Sequence, residues 1–179
     1  EDWTVLDYKP YTQGDRILFA AVERGQVTQQ DQQLYTVTTG LGKDAKETSG
    51  QIEAILDSNE YQNLKFDLSP DGQTIVVQRV GRDNPGNFGP WVISQEKQPR
   101  RLETEPGGDF MIAPDSQSLL LQQGEGTAVI ALGDAQNEQS GETLDFLPQY
   151  GLVMDVANNG SAAAMISFNQ ADPEKRYTQ

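Results

Sequence analysis

Residues 66–77 read FDLSPDGQTIVV and residues 110–121 read FMIAPDSQSLLL, two phrases that superimpose at an offset of 44. Phe66 meets Phe110, Pro70 meets Pro114, Asp71 meets Asp115, Gln73 meets Gln117, and Ile75, Val76 and Val77 meet Leu119, Leu120 and Leu121. A second step of 44 reaches MDVANNGSAAAM at 154–165, with Met154 in the Phe place, Asn159 in the Asp place and Met165 in the Leu121 place. Two equal consecutive steps mark an internal repeat, the signature of a chain built from like supersecondary units. Toward the N-terminus, YKPYTQGDRILF at 8–19 fits the same frame with Gly14 in the Gly72 place. The step from there is 58, so one unit carries about fourteen additional residues.

Each unit has the logic of an antiparallel sheet. Leu64, Phe66 and Leu68 alternate with polar neighbours, the period-2 pattern of a strand with one face buried. Ser69-Pro70-Asp71-Gly72 then forms a hairpin turn: Pro presets φ at the second position, Asp suits the third, and Gly accepts the left-handed conformation needed to re-enter a strand. Ile75, Val76, Val77 and Val80 supply a return strand whose adjacent apolar residues fit burial on both faces. A third strand follows at 90–94 and a more polar fourth at 101–104; the next unit repeats the order at 110–112, 119–121, 127–132 and 144–147. Apolar inner strands grading to a polar outer strand are what radial packing demands. The expected fold is therefore all-β, a single domain over 1–179 of about four four-stranded antiparallel β-propeller blades, the last truncated. The repeats lie near 8–57, 66–105, 110–147 and 154–179, with an insert at 42–59. Within the insert Ser49 is read as the cap of a short helix turning Ile52, Ile55 and Leu56 inward, the alternative being a fourth strand over 54–56.

At 179 residues the chain is too short for six blades of this period, which leaves part of a larger propeller, a small closed ring or an open stack. A start at Glu1 and only eleven residues after the last apolar run give the expectation that both ends are cut. Terminal blades expose apolar faces and edges, so the strand at 3–8 is expected to complete the last blade, or else the chain to self-associate. Twenty-seven acidic residues against thirteen basic ones give a formal charge of -14, which repels phosphate and argues against nucleic acid and anionic membranes. No stretch of eighteen apolar residues is present, so no membrane insertion by a helix is expected. The sequence has neither Cys nor His, which removes disulfides, thiolate chemistry, the commonest general base and the commonest metal ligand.

The phrases LSPDGQTIVV, IAPDSQSLLL, LYTVTTG at 34–40 and WVISQEKQPRRLE at 91–103 resemble the WD40-like repeat of the TolB-type β-propeller family. The resemblance covers roughly residues 3–168 and is strongest over 64–132. Tyr11-Thr12-Gln13-Gly14 and Ala157-Asn158-Asn159-Gly160 keep the glycine but lack the Pro and Asp of the motif, so the first and fourth blades rest on register. The resemblance implies a periplasmic or extracellular protein, an interaction module or a non-catalytic domain attached to a hydrolase. The matched residues, Pro70, Asp71, Gly72, Pro114, Asp115 and Gly160, are structural turn residues, so what carries over is a fold and no active site.

No residue constellation announces a reaction. Asp71 and Asp115 occupy the same turn position in separate blades, where a carboxylate caps local N–H groups. The loop GRDNPGNFG at 81–89 lacks the spacing and terminal Glu of a calcium loop, and no Gly-x-Ser-x-Gly element surrounds any serine. Met154 and Met165 read as core filler. The expectation is a protein that is no enzyme, takes no cofactor or metal, and binds another protein. The loops at 24–33, 81–89 and 170–175 lie opposite the Ser-Pro-Asp-Gly turns, and 81–89 is the best equipped. In it Arg82 offers charge-assisted hydrogen bonds, Asn87 a donor and acceptor, and Phe88 an apolar anchor beside Trp91. The alternatives are a non-catalytic segment of a larger peptidase or glycan-active protein, and an acidic envelope or surface domain.

Overall fold

The computed structural model describes residues 3–23, 31–41, 49–94, 98–124, 126–133, 141–147, 152–168 and 176–178. These residues form four antiparallel sheets in chain order and no α-helix. The first holds β1 (Trp3–Pro10), β2 (Arg16–Glu23), β3 (Gln33–Thr38) and β4 (Ile52–Leu56). The second holds β5 (Tyr61–Leu68), β6 (Thr74–Gly81), β7 (Phe88–Ser94) and β8 (Arg100–Arg101). The third holds β9 (Phe110–Ile112), β10 (Ser118–Gln123), β11 (Gly126–Ala131) and β12 (Thr143–Leu147), and the fourth β13 (Leu152–Val156), β14 (Ala163–Phe168) and β15 (Arg176–Thr178). Every sheet is an up-and-down meander. The chain forms two compact units, 1–91 and 92–179, divided within β7.

Four inner hairpins share one turn. Its first residue donates its N–H to the carbonyl five residues on: Tyr11 to Arg16 (3.0 Å), Ser69 to Thr74 (2.8 Å), Ala113 to Ser118 (2.8 Å) and Ala157 to Ala162 (2.9 Å). Its fourth residue donates back to the first: Gly14 to Tyr11, Gly72 to Ser69, Ser116 to Ala113 and Gly160 to Ala157, at 2.7–2.9 Å. That fourth residue is left-handed in all four, with φ of 72° at Gly14, 73° at Gly72, 60° at Ser116 and 68° at Gly160. The first and last blades, which lack the Pro-Asp motif, build the same turn, the last with Asn159 in the Asp place, its Oδ1 accepting from the Ser161 N–H (3.0 Å). The third builds it without glycine, and its Asp115 compensates: Oδ1 accepts from the N–H groups of Gln117 (2.8 Å) and Ser118 (2.9 Å), and Oδ2 from Ser118 Oγ (2.8 Å). Burial pushes the Asp115 carboxyl up, but these three donors together outweigh it and hold the group below the usual carboxylate range.

The most deeply buried residues come from the inner and middle strands of each sheet. Leu18, Ala20 and Leu34 of the first sheet are fully buried, as are Val76 and Val77 of the second and Leu119, Leu121, Ala128 and Ile130 of the third. In β2 and β6 adjacent apolar residues are buried together, the double-sided burial that their runs required, while in β10 Leu119 and Leu121 are buried and Leu120 between them is half-buried. β12, at the outer end of its sheet, is exposed over Thr143–Phe146.

Three expectations are corrected. Ser49–Leu56 starts no helix: Ile52–Leu56 is β4, paired with β3 through Leu34↔Leu56, Tyr35↔Ala54 and Val37↔Ile52. A helix this short is marginal in water, whereas the open edge of β3 offers backbone partners at once. Likewise Trp3–Tyr8 completes no other sheet, because it pairs with β2 from Trp3↔Glu23 to Pro10↔Ile17 and belongs to the first. The expected fourth strand at 101–104 is only Arg100–Arg101, since Thr104 donates its N–H to Leu102 (3.1 Å) and turns the chain. Of the expected insert, residues 42–48 lie outside the described residues, as do the side chains of Met154 and Met165.

The turns are testable. A Cβ on Gly72 would be left-handed and 3.1 Å from Tyr11 Cδ1, whereas one on Gly14 would meet nothing within 4 Å. Gly72→Val should cost about 1–3 kcal/mol in urea unfolding, more than Gly14→Val, and Ser116→Gly should gain up to about 1 kcal/mol by relieving the same strain. Asp115→Asn probes the electrostatics. With the folded pKa depressed, the carboxylate's contribution is fully present above the ordinary carboxylate pKa and is lost as pH falls through the lower folded value. The stability gap between wild type and Asp115→Asn should be small, because the side chain is exposed, widest near neutrality, and should shrink in acid.

Candidate functional site

The sequence singled out the loop between β6 and β7, and the structure closes it tightly. Gly81 N–H donates to Asn87 O (3.0 Å), Asn87 N–H to Asn84 O (2.9 Å) and Gly86 N–H to Asn84 Oδ1 (3.1 Å). Gly81 is required by approach rather than by φ: a Cβ there would stand 2.7 Å from the Asn84 carbonyl oxygen. Phe88 is the first residue of β7 and half-buried. Arg82 reaches across to the end of the first sheet, donating from Nε to Ser58 O (2.7 Å) and from its terminal nitrogen to Asp31 Oδ1 (2.7 Å). Asn87 donates to the Tyr61 hydroxyl (2.8 Å). The three expected binding residues thus sit at one end of the blade, and each described side-chain bond of Arg82 and Asn87 also ties the loop to its frame. Of the companion loops, residues 24–30 and 170–175 lie outside the described residues.

Beneath the loop is a polar cluster that the sequence reading missed. Asn63 and Arg79 face each other across β5 and β6 and are 1% and 5% exposed. Asn63 Nδ2 donates to Gln32 O (2.9 Å) and Asp57 O (2.9 Å), while Gln32 Nε2 donates to Asn63 O (2.6 Å) and Leu64 O (3.0 Å). Arg79 Nε donates to Asn63 Oδ1 (3.0 Å) and its terminal nitrogen to Asp57 O (3.3 Å). Its guanidinium lies 4.5 Å from the centroid of the Tyr61 ring and 5.2 Å from that of Trp91, and those two rings meet edge-on at 5.0 Å. Burial lowers the Arg79 pKa and nearby Asp57 opposes the shift; an arginine so placed keeps its charge at neutral pH. The signal was available, since Arg79 follows Val77 by two residues and so occupies a core-facing phase of its strand.

In the C-terminal unit a cleft of about 420 Å³ opens between the third and fourth sheets at their turn ends. Leu120 and Leu147 line one side and Val153, Val156 and Ala163 the other, with Pro114 and Asn159 at the mouth. Its acidic member, Asp115, is engaged by Gln117 and Ser118, and Asn159 Oδ1 by Ser161. Among the described residues no three acidic side chains converge as a metal would require. Neither the cleft nor the cluster aligns a nucleophile with a base.

Arg79 is the cluster's central donor. Its replacement by Ala would open a cavity beside two rings and remove the donor to Asn63 Oδ1, while Asp57 O keeps its bond from Asn63 Nδ2. Arg79→Ala should cost about 3 kcal/mol or more in urea unfolding, and Arg79→Met about 1–3 kcal/mol, because Met fills space but gives no donor to Asn63 Oδ1. In a Trp3→Phe background, Trp91 emission should change in both variants.

No family model and no curated protein matches the sequence. Solved structures do match in fold. TolB from Acinetobacter baumannii superimposes with a TM-score of 0.60 at 11% identity, over 98% of this chain and 40% of that one. Prolyl oligopeptidase B from Galerina marginata gives 0.60 at 13% identity, over 98% of this chain and 28% of that one. A chain of a nidogen/laminin complex gives 0.55 at 12% identity, over 99% and 65%. The chain therefore spans less than two thirds of the length of each. At such identities the likeness is one of fold alone, and with four consecutive antiparallel meanders in hand it identifies this protein as an all-β chain of the β-propeller fold.

Proposed function

We propose that the chain is a non-catalytic propeller module that binds another protein through the loop at 81–89, in an extracytoplasmic setting. The observation that carries this reading is the loop's construction: closed over Gly81, tied to Tyr61 through Asn87 and to Asp31 through Arg82. A loop held this way on a rigid frame presents its tip without the entropy cost of ordering on contact. At the tip Asp83, Asn84, Pro85 and Gly86 are exposed, with half-buried Phe88 beside them. The acidic surface, at -14 overall, favours a partner with a basic contact face. The extracytoplasmic setting rests on the sequence resemblance to the TolB-type repeat.

A second reading is a non-catalytic propeller segment of a larger peptidase. What favours it is the fold likeness to prolyl oligopeptidase B, of which the matched part is 28%. A catalytic domain in the full-length gene product would distinguish the two.

The test is capture of a partner from the source organism, followed by affinity measurement with an Arg82→Ala, Phe88→Ala double variant. Affinity should fall tenfold or more, while circular dichroism stays unchanged. An unchanged affinity in the folded variant would overturn the assignment to this loop.

A further inference from the structure

The hairpin between β13 and β14 turns through Ala157-Asn158-Asn159-Gly160, and Asn159-Gly160 is the only Asn-Gly pair in the sequence. An asparagine is open to attack on its side-chain carbon by the backbone nitrogen of the next residue, and a Cβ on that residue obstructs the approach. Glycine has none and turns freely. The other seven asparagines precede Glu, Leu, Pro, Phe, Asn or Gln. Of these, Asn63 is buried, and Asn84 is followed by Pro85, whose nitrogen carries no proton to lose.

Three features of this turn favour the reaction. Asn159, Gly160 and Ser161 are exposed, and a Cβ built on Gly160 would meet nothing within 4 Å, so water and hydroxide reach the site. Asn159 Oδ1 accepts from the Ser161 N–H (3.0 Å) and from Ser161 Oγ (2.6 Å). Two donors on that oxygen draw electrons from the side-chain carbon and stabilise the oxyanion that forms on attack. The turn is also already built for the product. Asn159 stands in the place of Asp71 and Asp115, whose Oδ1 atoms accept from the N–H two residues on, that of Gln73 (3.0 Å) and of Gln117 (2.8 Å). An aspartate at 159 caps Ser161 in the same way. One feature opposes the reaction: the Gly160 N–H donates to Ala157 O (2.7 Å), and this bond opens before the nitrogen loses its proton.

We propose that Asn159 is a modification site at which the chain deamidates to aspartate, helped by the Ser161 donors. The Gly160 nitrogen gives its proton to solvent base and bonds to Asn159 Cγ; the Cγ–Nδ2 bond breaks and the amide group takes up a proton from water and leaves as ammonia. Water then opens the resulting succinimide between Cγ and the Gly160 nitrogen, which recovers its proton. The balance is one water consumed and one ammonia released, with no oxidant or reductant. Opening at the main-chain carbonyl instead would leave an isoaspartyl link with an extra backbone atom. The pairing of Val156 with Ala163 and the Ala157–Ala162 bond resist that extra length, so aspartate is the product that the folded turn accepts. The new carboxylate adds a negative charge to the rim of the cleft that Asp115 also lines, and a cationic group is drawn there more strongly. The inference is independent of partner binding by the 81–89 loop.

Incubation of the 179-residue chain in mildly alkaline buffer at physiological temperature, followed by peptide mass spectrometry that separates aspartyl from isoaspartyl products, tests it. Conversion is expected at Asn159 ahead of every other asparagine, faster as pH rises, and with a larger share of aspartate than in the same chain unfolded in urea. Ser161→Ala should slow conversion about three- to tenfold in the folded chain, the worth of one hydrogen bond, and leave the rate in urea unchanged. Asn159→Asp should keep the urea midpoint of the wild type. Persistence of Asn159 in the folded chain while the urea-unfolded chain converts would overturn the proposal. A first conversion at another asparagine, a folded-state rate that ignores Ser161→Ala, an isoaspartyl share as large as in urea, or a lowered midpoint in Asn159→Asp would overturn it equally.

Discussion

One backbone constraint sets up the rest of this molecule: a left-handed residue at the fourth place of each inner hairpin turn. Its N–H returns to the first turn residue, whose own N–H reaches five residues ahead, and the strand pairing is thereby locked in a single register. A slip of one residue would exchange the two faces of every sheet. Because the register holds, β2, β6 and β10 present apolar residues on both sides and can sit inside a stack. The four blades reach this geometry by different chemical routes. Gly72 has Ser69 and Asp71 around it, Ser116 relies on Asp115, Gly160 has Asn159 capping Ser161, and Gly14 uses the conformational freedom of glycine.

Polar side chains finish what apolar packing begins. Where the first blade passes to the second, Gln32, Asn63 and Arg79 satisfy the backbone that a purely apolar face would strand. The third blade solves the same problem more modestly. Gln123, one repeat after Arg79, donates to Glu105 O (2.9 Å) and Thr104 Oγ1 (3.2 Å), and Gly107, one repeat after Asn63, makes room for Leu121. Equivalent places in the repeat are thus filled by different polar groups at each junction. The buried arginine is structural: its donors are turned to carbonyls and its plane to rings, leaving no direction from which a substrate is approached.

The absence of His and Cys confines any chemistry to carboxylates, hydroxyls and lysines, and the described carboxylates of the turns are engaged in capping. Recognition, by contrast, needs only a stiff frame and a shaped tip. The loop after β6 has both, and its stiffness comes from the same residues that join it to the first sheet.

The amino-acid sequence by itself determined the repeat, the all-β class, the inner hairpins and the left-handed Gly72, though not the left-handed Ser116, because these depend on contacts within about a dozen residues of chain. Phe66, Pro70, Asp71 and Gly72 carry that information locally. It misled over Ile52–Leu56, where five residues suit helix and strand equally and the open edge of β3 decided the matter. It also misled over Trp3–Tyr8, whose apolar alternation says that the segment is a strand but not which strand it joins. Only the tertiary structure decided that Arg79 is a buried junction residue and that Arg82 is tied to Asp31, since both depend on partners more than twenty residues away.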